Sequence, residues 1–137
     1  MIIADSGFWL ALGDKRDKHH QRANLFAKTC KERLITTHAV MTKVCHLLLK
    51  RQGVEAQLQF MEMYRLGAFD VFEIQEIHKD RLVTLMRQYQ DLPMDFADAS
   101  MVLVAEHLGH GRILSTDQRD FHTYRWKNTR PFENLLF

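Results

Sequence analysis

The sequence has little of what marks several large classes of protein. Its 137 residues include only two cysteines, Cys30 and Cys45, and no CxxC pair, which favours reduced thiols over a disulfide or a zinc site. We expect both to be buried, reduced thiols. The net charge of +2 is too small to indicate a nucleic-acid binder by itself. No apolar run approaches a membrane span, and Asp5 interrupts any secretory signal, so we expect a cytoplasmic protein without a membrane anchor.

Short apolar runs alternate with segments of helical periodicity. No repeat, low-complexity segment or linker interrupts them, which predicts a single domain over residues 1–137. Alternation of this kind is typical of a mostly parallel sheet with helices on both faces. We expect the tail after Phe121 to add an edge strand or to cover the core. The predicted strands are 1–4, 34–36, 69–74 and 112–115, and the predicted helices include 19–33, 37–51, 54–66 and 77–89.

Acidic residues stand at the ends of these elements. Asp5 follows the first predicted strand, and Asp117 follows the predicted strand 112–115. Asp98 lies in the first turn of a helix that begins after Pro93. Ligands of parallel sheets bind beyond the carboxyl ends of the strands, so we expect these acids to converge there. Gathered carboxylates repel one another unless a cation lies among them. Oxygen ligands suit Mg²⁺ or Mn²⁺, and such sites serve phosphodiester hydrolysis.

The same acids also fit purely structural roles. Asp98 can be a helix-start charge and Asp117 a helix cap. Asp95 suits the N-cap before Phe96, and Asp120 suits a solvated turn. The residues alone leave both interpretations open.

Three segments together resemble one known family. They are MIIADSGFWLAL at the start, ITTHAVMTKVCHLL in the first third, and LPMDFADASMVLVAEHLG followed by RILSTDQRDF near the end. In this order they resemble PIN-domain proteins, the fold of the VapC-type toxin ribonucleases. The resemblance implies an α/β/α sandwich of three layers, a homodimer, a divalent-metal site, cleavage of RNA, and a small antitoxin partner.

The resemblance also implies roles for single residues. Asp5, Asp98 and Asp117 match the metal-coordinating acids, which would hold Mg²⁺ or Mn²⁺. Ser115 or Thr116 matches a small hydroxyl residue that helps to hold the site. Asp95 and Asp120 match acids of a related subset, with supporting roles and with Asp95 as a weaker ligand.

Lys43 departs from the family pattern, which has a glutamate within a Thr-Glu-Val-like segment where this chain has Thr42-Lys43-Val44. The change adds two units of positive charge and removes an acceptor, so metal affinity should fall or only one ion should bind. One interpretation turns the Lys43 stem away from the acids. A second pairs its ammonium with the acids in place of a metal, and a third makes it a disarming substitution. A solvated helix residue in a misplaced alignment is the remaining alternative.

Basic and aromatic residues follow Asp117 closely. Arg119, Arg125 and Lys127, with Arg130, line a phosphate path in one interpretation and form a solvated basic tail in the other. Tyr124 and Trp126 suit core or dimer contacts better than stacking on bases. The apolar faces around Leu47-Leu48 and Phe60-Met63-Tyr64 exceed what one small sheet needs to cover, which favours a homodimer.

The leading hypothesis is a metal-dependent endoribonuclease, the toxin of a toxin–antitoxin pair, with activity impaired by Lys43. The alternative is a catalytically silent PIN-like module that binds RNA or protein.

Overall fold

A parallel five-stranded sheet forms the centre of the protein. The computed structural model describes residues 1–137. The sheet has the order β3-β2-β1-β4-β7, and each neighbouring pair is parallel. Strands β5 and β6 form a separate antiparallel pair. The seven strands are β1 (Ile2–Ala4), β2 (Leu34–Thr37), β3 (Asp70–Phe72), β4 (Arg112–Leu114), β5 (Arg125–Trp126), β6 (Arg130–Pro131) and β7 (Glu133–Asn134).

Helices flank this sheet, which confirms the predicted α/β sandwich with a mostly parallel central sheet. Helix α6 packs on β1, β2 and α5, while α3 packs on α1, α4 and α6. No helix is both long and apolar enough to cross a membrane. The helices are α1 (Ser6–Gly13), α2 (His20–Thr29), α3 (His38–Gln52), α4 (Val54–Arg65), α5 (Lys79–Gln88), α6 (Phe96–Leu108) and α7 (Gln118–Thr123), with a 3₁₀ turn at Glu76–His78.

Helix α6 is the central helix of the core. Every residue from Ala97 to Ala105 is buried, because this stretch is apolar on all sides of the helix except at Asp98 and Ser100. It lies against β1, whose residues Ile2, Ile3 and Ala4 are also buried, as predicted. Asp95 caps the amino end of α6, and Gly109 ends the helix in the left-handed conformation at φ 78°.

Three predicted boundaries are wrong by two residues or more, and several others differ by one residue. Helix α2 ends at Thr29 and not at residue 33, because Ile2 N–H donates to the Arg33 carbonyl at 2.9 Å and the chain is already approaching the sheet there. Strand β3 stops at Phe72, which pairs with Thr37, the last residue of β2, so no partner strand remains for residues 73 and 74. The helix predicted from residue 77 begins as a 3₁₀ turn, and the α-helix starts at Lys79.

The two cysteines are free, as predicted. The prediction that both are buried is wrong. Both are of intermediate exposure, because Cys30 lies just beyond the end of α2 and Cys45 on a side of α3 that is only partly covered. Burial nevertheless raises the pKa of the Cys45 thiol above its ordinary value.

The chain itself covers part of the apolar surface from which we predicted a homodimer. Leu48 is 2% exposed and Phe60 is 4% exposed. Phe60 is covered by the ring of Trp9 on α1, with 5.7 Å between the ring centroids. Met63 is half-buried, whereas Tyr64 remains 39% exposed. The homodimer stays a prediction that rests on a smaller apolar surface than the sequence indicated.

The chain after Phe121 adds the predicted edge strand. Strand β7 pairs with β4, placing Asn134 beside Ile113. The Asn134 side chain accepts from Ser115 N–H at 3.3 Å and donates to the Ser115 carbonyl at 2.9 Å. This two-way contact fixes the backbone at the carboxyl end of β4, where the predicted site residues begin.

Gly7 in α1 lies against Thr116, in the segment that follows β4. A Cβ atom at Gly7 would lie 1.9 Å from Thr116 Oγ1 and 3.1 Å from Thr116 Cβ. We expect Gly7→Ala to lower the free energy of unfolding by about 1–3 kcal/mol through overpacking, although alanine in a helix normally stabilises by about 1 kcal/mol relative to glycine. Urea denaturation measures this change.

The double variant Gly7→Ala/Thr116→Ala tests the cause, because it removes the clashing Oγ1 atom. We expect the double variant to be nearly as stable as Thr116→Ala alone, because Gly7→Ala costs little stability once the Oγ1 atom is absent. A Gly7→Ala variant as stable as the wild type would show that α1 and the loop after β4 are not tightly packed.

Candidate active site

The predicted acids lie at the carboxyl edge of the sheet. Asp5 directly follows β1, and Asp117 follows the neighbouring strand β4 by three residues. Asp98 lies in the first turn of α6, which packs on β1. Burial is the main cause that raises the pKa of Asp98 and of Asp117, and the negative charge of Asp5 adds to it in both, so Asp5 is near enough to interact with each of the other two acids.

Asp5 is the most enclosed of these acids, at 3% exposure. Its Oδ2 accepts a hydrogen bond from Ser115 Oγ at 3.1 Å, and its Oδ1 accepts from Ser6 Oγ at 3.5 Å. Burial raises the pKa of Asp5, against the opposing effects of the Ser6 backbone, Lys43 and Ser115. Ser115 Oγ also accepts from Asp117 N–H at 3.0 Å, so Ser115 joins Asp5 to Asp117. Thr116, the other candidate for this role, faces Gly7 instead.

Asp98 is 8% exposed, so its carboxylate is also largely enclosed. Burial, together with the charges of Asp5 and Asp95, raises its pKa to about 7. Its Oδ2 accepts from Tyr124 Oη at 3.3 Å and from Asp95 N–H at 3.4 Å. Asp98 is thus held through one carboxylate oxygen.

Asp117 is more open to solvent than Asp5 or Asp98. It caps α7, because its Oδ1 accepts from Asp120 N–H at 3.1 Å. Partial burial, the hydrogen bond and charge of Asp120, and the charge of Asp5 raise the pKa of Asp117 to about 6. Asp120 is itself buried to 8% exposure and paired with Arg119 at 3.2 Å, so it is not the solvated turn residue of the alternative interpretation.

Lys43 lies at this acid cluster and does not turn its stem away. Its Nζ is 2.8 Å from Asp95 Oδ2, and its side chain is 37% exposed. Asp95 is also the predicted N-cap of α6, since its Oδ1 accepts from Asp98 N–H at 2.8 Å. One carboxylate therefore binds both the ammonium of α3 and the amino end of α6.

Chemically, the donor set suits a hard divalent cation, because it consists of carboxylate oxygens from three separate elements. Burial and the neighbouring acids together disfavour the charged forms of Asp98 and Asp117, and a cation beside them would favour those charged forms. However, no three His, Cys, Asp or Glu side chains come close enough together to hold one metal ion. The residues form an acidic cluster of the right chemistry and not a closed set of ligands.

The basic residues after Asp117 have other partners. Arg125 Nη1 donates to the carbonyls of His122, Thr123 and Tyr124, and Lys127 Nζ lies 5.8 Å from the centre of the Trp126 ring. Only Arg119 contacts an acid of the cluster, through Asp120. The predicted RNA contacts stay predictions, and Arg119 is the basic residue of this group that lies at the acid cluster.

Tyr124 is a site residue whose role we did not predict. It is fully buried, as the core interpretation required, and Trp126 is 8% exposed, so neither ring is available to stack on a base. The Tyr124 hydroxyl nevertheless reaches Asp98, and burial together with that acid raises its pKa well above the usual range. No spacing in the sequence indicates this contact, because 26 residues separate the partners.

Residues 2–127 match the model of the PIN domain family, and the chain belongs to this family. Ribonuclease VapC26 of Mycobacterium tuberculosis (strain ATCC 25618 / H37Rv) is 24% identical over 124 residues, which cover 90% of this chain and 92% of the relative. The crystal structure of Mycobacterium tuberculosis VapC20, described as a sarcin-ricin loop cleaving toxin, superposes with a TM-score of 0.79 at 21% identity. That match covers 87% of this chain and 92% of VapC20.

The raised pKa of Asp98 predicts how stability depends on pH. The folded protein holds a proton on Asp98 up to a pKa of about 7, whereas the unfolded chain releases it near the ordinary value of 3.8. The contribution of Asp98 to the free energy of unfolding is therefore fully present below pH 3.8, the pKa of Asp98 in the unfolded chain, and is lost as pH rises through about 7. In EDTA, we expect the free energy of unfolding to fall between pH 5 and pH 8 by roughly 1 kcal/mol or more, since one pKa unit corresponds to about 1.4 kcal/mol.

Asp98→Asn should reduce this dependence, because asparagine carries no charge at either pH. Urea denaturation at both pH values measures the difference. Asp80→Asn is the matched control, since Asp80 is an exposed acid in the first turn of α5. Equal losses in the wild type and in Asp98→Asn would contradict a strongly perturbed carboxyl.

Proposed function

We propose that this PIN-domain protein is a metal-dependent endoribonuclease and the toxin of a toxin–antitoxin pair. The observation that carries the proposal is the placement of the three acids at one edge of the sheet: Asp5 and Asp117 follow the neighbouring parallel strands β1 and β4, and Asp98 lies in the first turn of the helix that packs on β1. Two relatives support the reaction class by name, since VapC26 is a ribonuclease and VapC20 is a toxin that cleaves the sarcin-ricin loop.

Asp5, Asp98 and Asp117 are the acids that would hold Mg²⁺ or Mn²⁺, with Asp95 as a weaker contributor, although in this structure they do not yet form a closed set of ligands. When bound, such an ion supplies a water of lowered pKa and positive charge for the phosphodiester oxygens. Hydroxyl groups of the protein bind Oδ2 of two acids, Ser115 on Asp5 and Tyr124 on Asp98. The other oxygen of each acid is less engaged. Asp5 Oδ1 has only a long hydrogen bond from Ser6, and Asp98 Oδ1 has no hydrogen-bond partner in the protein, so both oxygens are available to a cation.

The exposed side of the acid cluster supports RNA as the substrate. Asp117 is open to solvent and Arg119 beside it is 78% exposed, so a phosphate of the RNA backbone can approach the acids from this side. No side-chain nucleophile is needed, because the attacking group is water. Ser115 is fully buried and already bonded to Asp5, which leaves it a positioning role.

We also propose that the chain forms a homodimer and binds a small antitoxin protein. Exposed apolar side chains on α3 and α4 support a protein interface, because a monomer in water gains nothing from exposing them together. These residues are Leu49, Leu58, Met61 and Tyr64.

Cleavage of a labelled RNA by the full chain tests the proposed activity. We expect cleavage in Mg²⁺ or Mn²⁺, none in EDTA, and a loss of roughly 100-fold or more in Asp5→Asn and Asp98→Asn. Asp80→Asn should retain full activity, because Asp80 lies outside the cluster. Water attack also predicts products without a 2′,3′-cyclic phosphate.

A folded wild-type chain that leaves every RNA intact in Mn²⁺ would overturn the proposal. Cleavage that persists in EDTA with cyclic-phosphate products would instead indicate attack by the ribose 2′-hydroxyl, and the acids would lose their assigned role.

A further inference from the structure

Phe96 has the most exposed ring among the phenylalanine, tyrosine and tryptophan side chains. It is 50% exposed, compared with 43% for Phe137 and 39% for Tyr64. Every other ring of these three types packs against a second aromatic ring or a basic side chain, whereas Phe96 has no such partner. It is also the first residue of α6, immediately before the buried stretch Ala97–Ala105. Aromatic packing in the core therefore does not account for a ring at this position.

The Phe96 ring lines two neighbouring surface cavities. The larger one, of about 500 Å³, lies between α3 and the amino end of α6, and its size is typical of ligand clefts. The smaller one, of about 270 Å³, lies between α3 and the end of β3. Ala39 and Thr42 of α3 line both cavities as well, so the two cavities form one open groove with the Phe96 ring at its middle.

This groove continues to the acid cluster. Lys43 and Asp95, whose charged groups are 2.8 Å apart, line the larger cavity. Asp98 lies two residues after Phe96, and its N–H donates to Asp95 at 2.8 Å. A nucleic-acid chain with a phosphodiester at the acids therefore places a neighbouring nucleotide in the groove beside Phe96.

Polar side chains of α3 accompany the ring along the groove. His38, Thr42 and His46 are exposed and recur at intervals of four residues, so they lie on one face of the helix. Their hydroxyl and imidazole groups offer hydrogen-bond donors and acceptors. A nucleobase has an apolar stacking face and polar edges, which is the combination that this groove matches.

The other side of this polar face of α3 has a different character. Residues 41, 45 and 49 lie on that side and face α4, where Met61 and Tyr64 line a separate, more apolar cavity. Residues 39, 43 and 47 lie on the side of Phe96 and the acids. The α4 side thus suits the protein interface proposed above, whereas the Phe96 side suits RNA.

We propose that Phe96 stacks on an unpaired nucleobase of a single-stranded RNA whose phosphodiester lies at the acid cluster, with Thr42 and His46 at the polar edge of that base. The inference rests on the proposed function and names its substrate class, an RNA with an unpaired base beside the bond that is cleaved. Stacking needs no metal ion. Double-stranded RNA is a poor ligand, because its bases are already stacked and paired.

Binding of a short single-stranded RNA to the full chain in EDTA tests the proposal without cleavage. Fluorescence anisotropy at constant low salt measures the affinity, and 2-aminopurine placed at successive positions reports stacking by loss of its fluorescence. We compare the wild type with Phe96→Leu, which keeps an apolar side chain but removes the ring, and with Phe96→Tyr, which keeps the ring. Phe137→Leu is the matched control, because Phe137 is the other exposed phenylalanine and lines neither cavity.

We expect Phe96→Leu to bind the RNA roughly tenfold more weakly than the wild type, because stacking on one base is lost. Phe96→Tyr and Phe137→Leu should bind like the wild type. One 2-aminopurine position should lose fluorescence on binding to the wild type and to Phe96→Tyr but not to Phe96→Leu. In cleavage assays with Mn²⁺, Phe96→Leu should raise KM roughly tenfold and leave kcat nearly unchanged.

Equal RNA affinity of the wild type and Phe96→Leu would overturn this inference, as would a wild type that binds no single-stranded RNA in EDTA. A change of oligomeric state in Phe96→Leu, measured by light scattering, would also overturn it and place the ring in an interface between copies of the chain. Cleavage of RNA by the wild type in Mn²⁺ would leave the proposed function standing in each of these cases. RNA that binds through Phe96 but is never cleaved would support the stacking site and contradict the nuclease function.

Discussion

Repulsion between carboxylates at one edge of the sheet is the constraint on which the rest of the site depends. The parallel pairing of β1 with β4 brings Asp5 beside the segment that carries Asp117, and the packing of α6 on β1 adds Asp98. Burial makes the repulsion costly, because little water is present to screen it. The hydroxyls of Ser115 and Tyr124 and the ammonium of Lys43 each relieve part of this cost, and the raised pKa values of Asp98 and Asp117 show which acids still bear it.

The structural roles of these acids are compatible with the functional role proposed for them. From the sequence, a helix cap and a metal ligand are alternative interpretations of Asp95, Asp98 and Asp117. The structure shows that Asp95 and Asp98 form a reciprocal capping box and that Asp117 caps α7. A cap fixes the rotamer of its side chain, and the amino end of a helix favours negative charge. The capping bonds therefore hold the carboxylates in place and stabilise their charge, both of which a metal site requires.

Local sequence patterns predict much of the fold, whereas the site depends on contacts that such patterns do not contain. The apolar run before Asp5 and the all-round apolar character of α6 identify the central strand and helix, because burial on all sides leaves a local signature. The early end of α2 depends instead on a hydrogen bond between Ile2 and Arg33. The same holds for Tyr124 on Asp98 and for Asn134 on Ser115, where pairing across the fold decides the role of each residue.

The separation of core and site explains how a lysine is accommodated at position 43. The neighbours Val44 and Leu48 on α3 are buried, so the fold is stabilised by the apolar face of this helix and not by the residue that faces the acids. Lys43 is half-exposed, and its long stem lets the ammonium reach Asp95 while apolar carbons cover the helix surface. Exchange of the charge at position 43 therefore changes the electrostatics of the carboxyl edge while the packing of α3 on α1 and α6 persists.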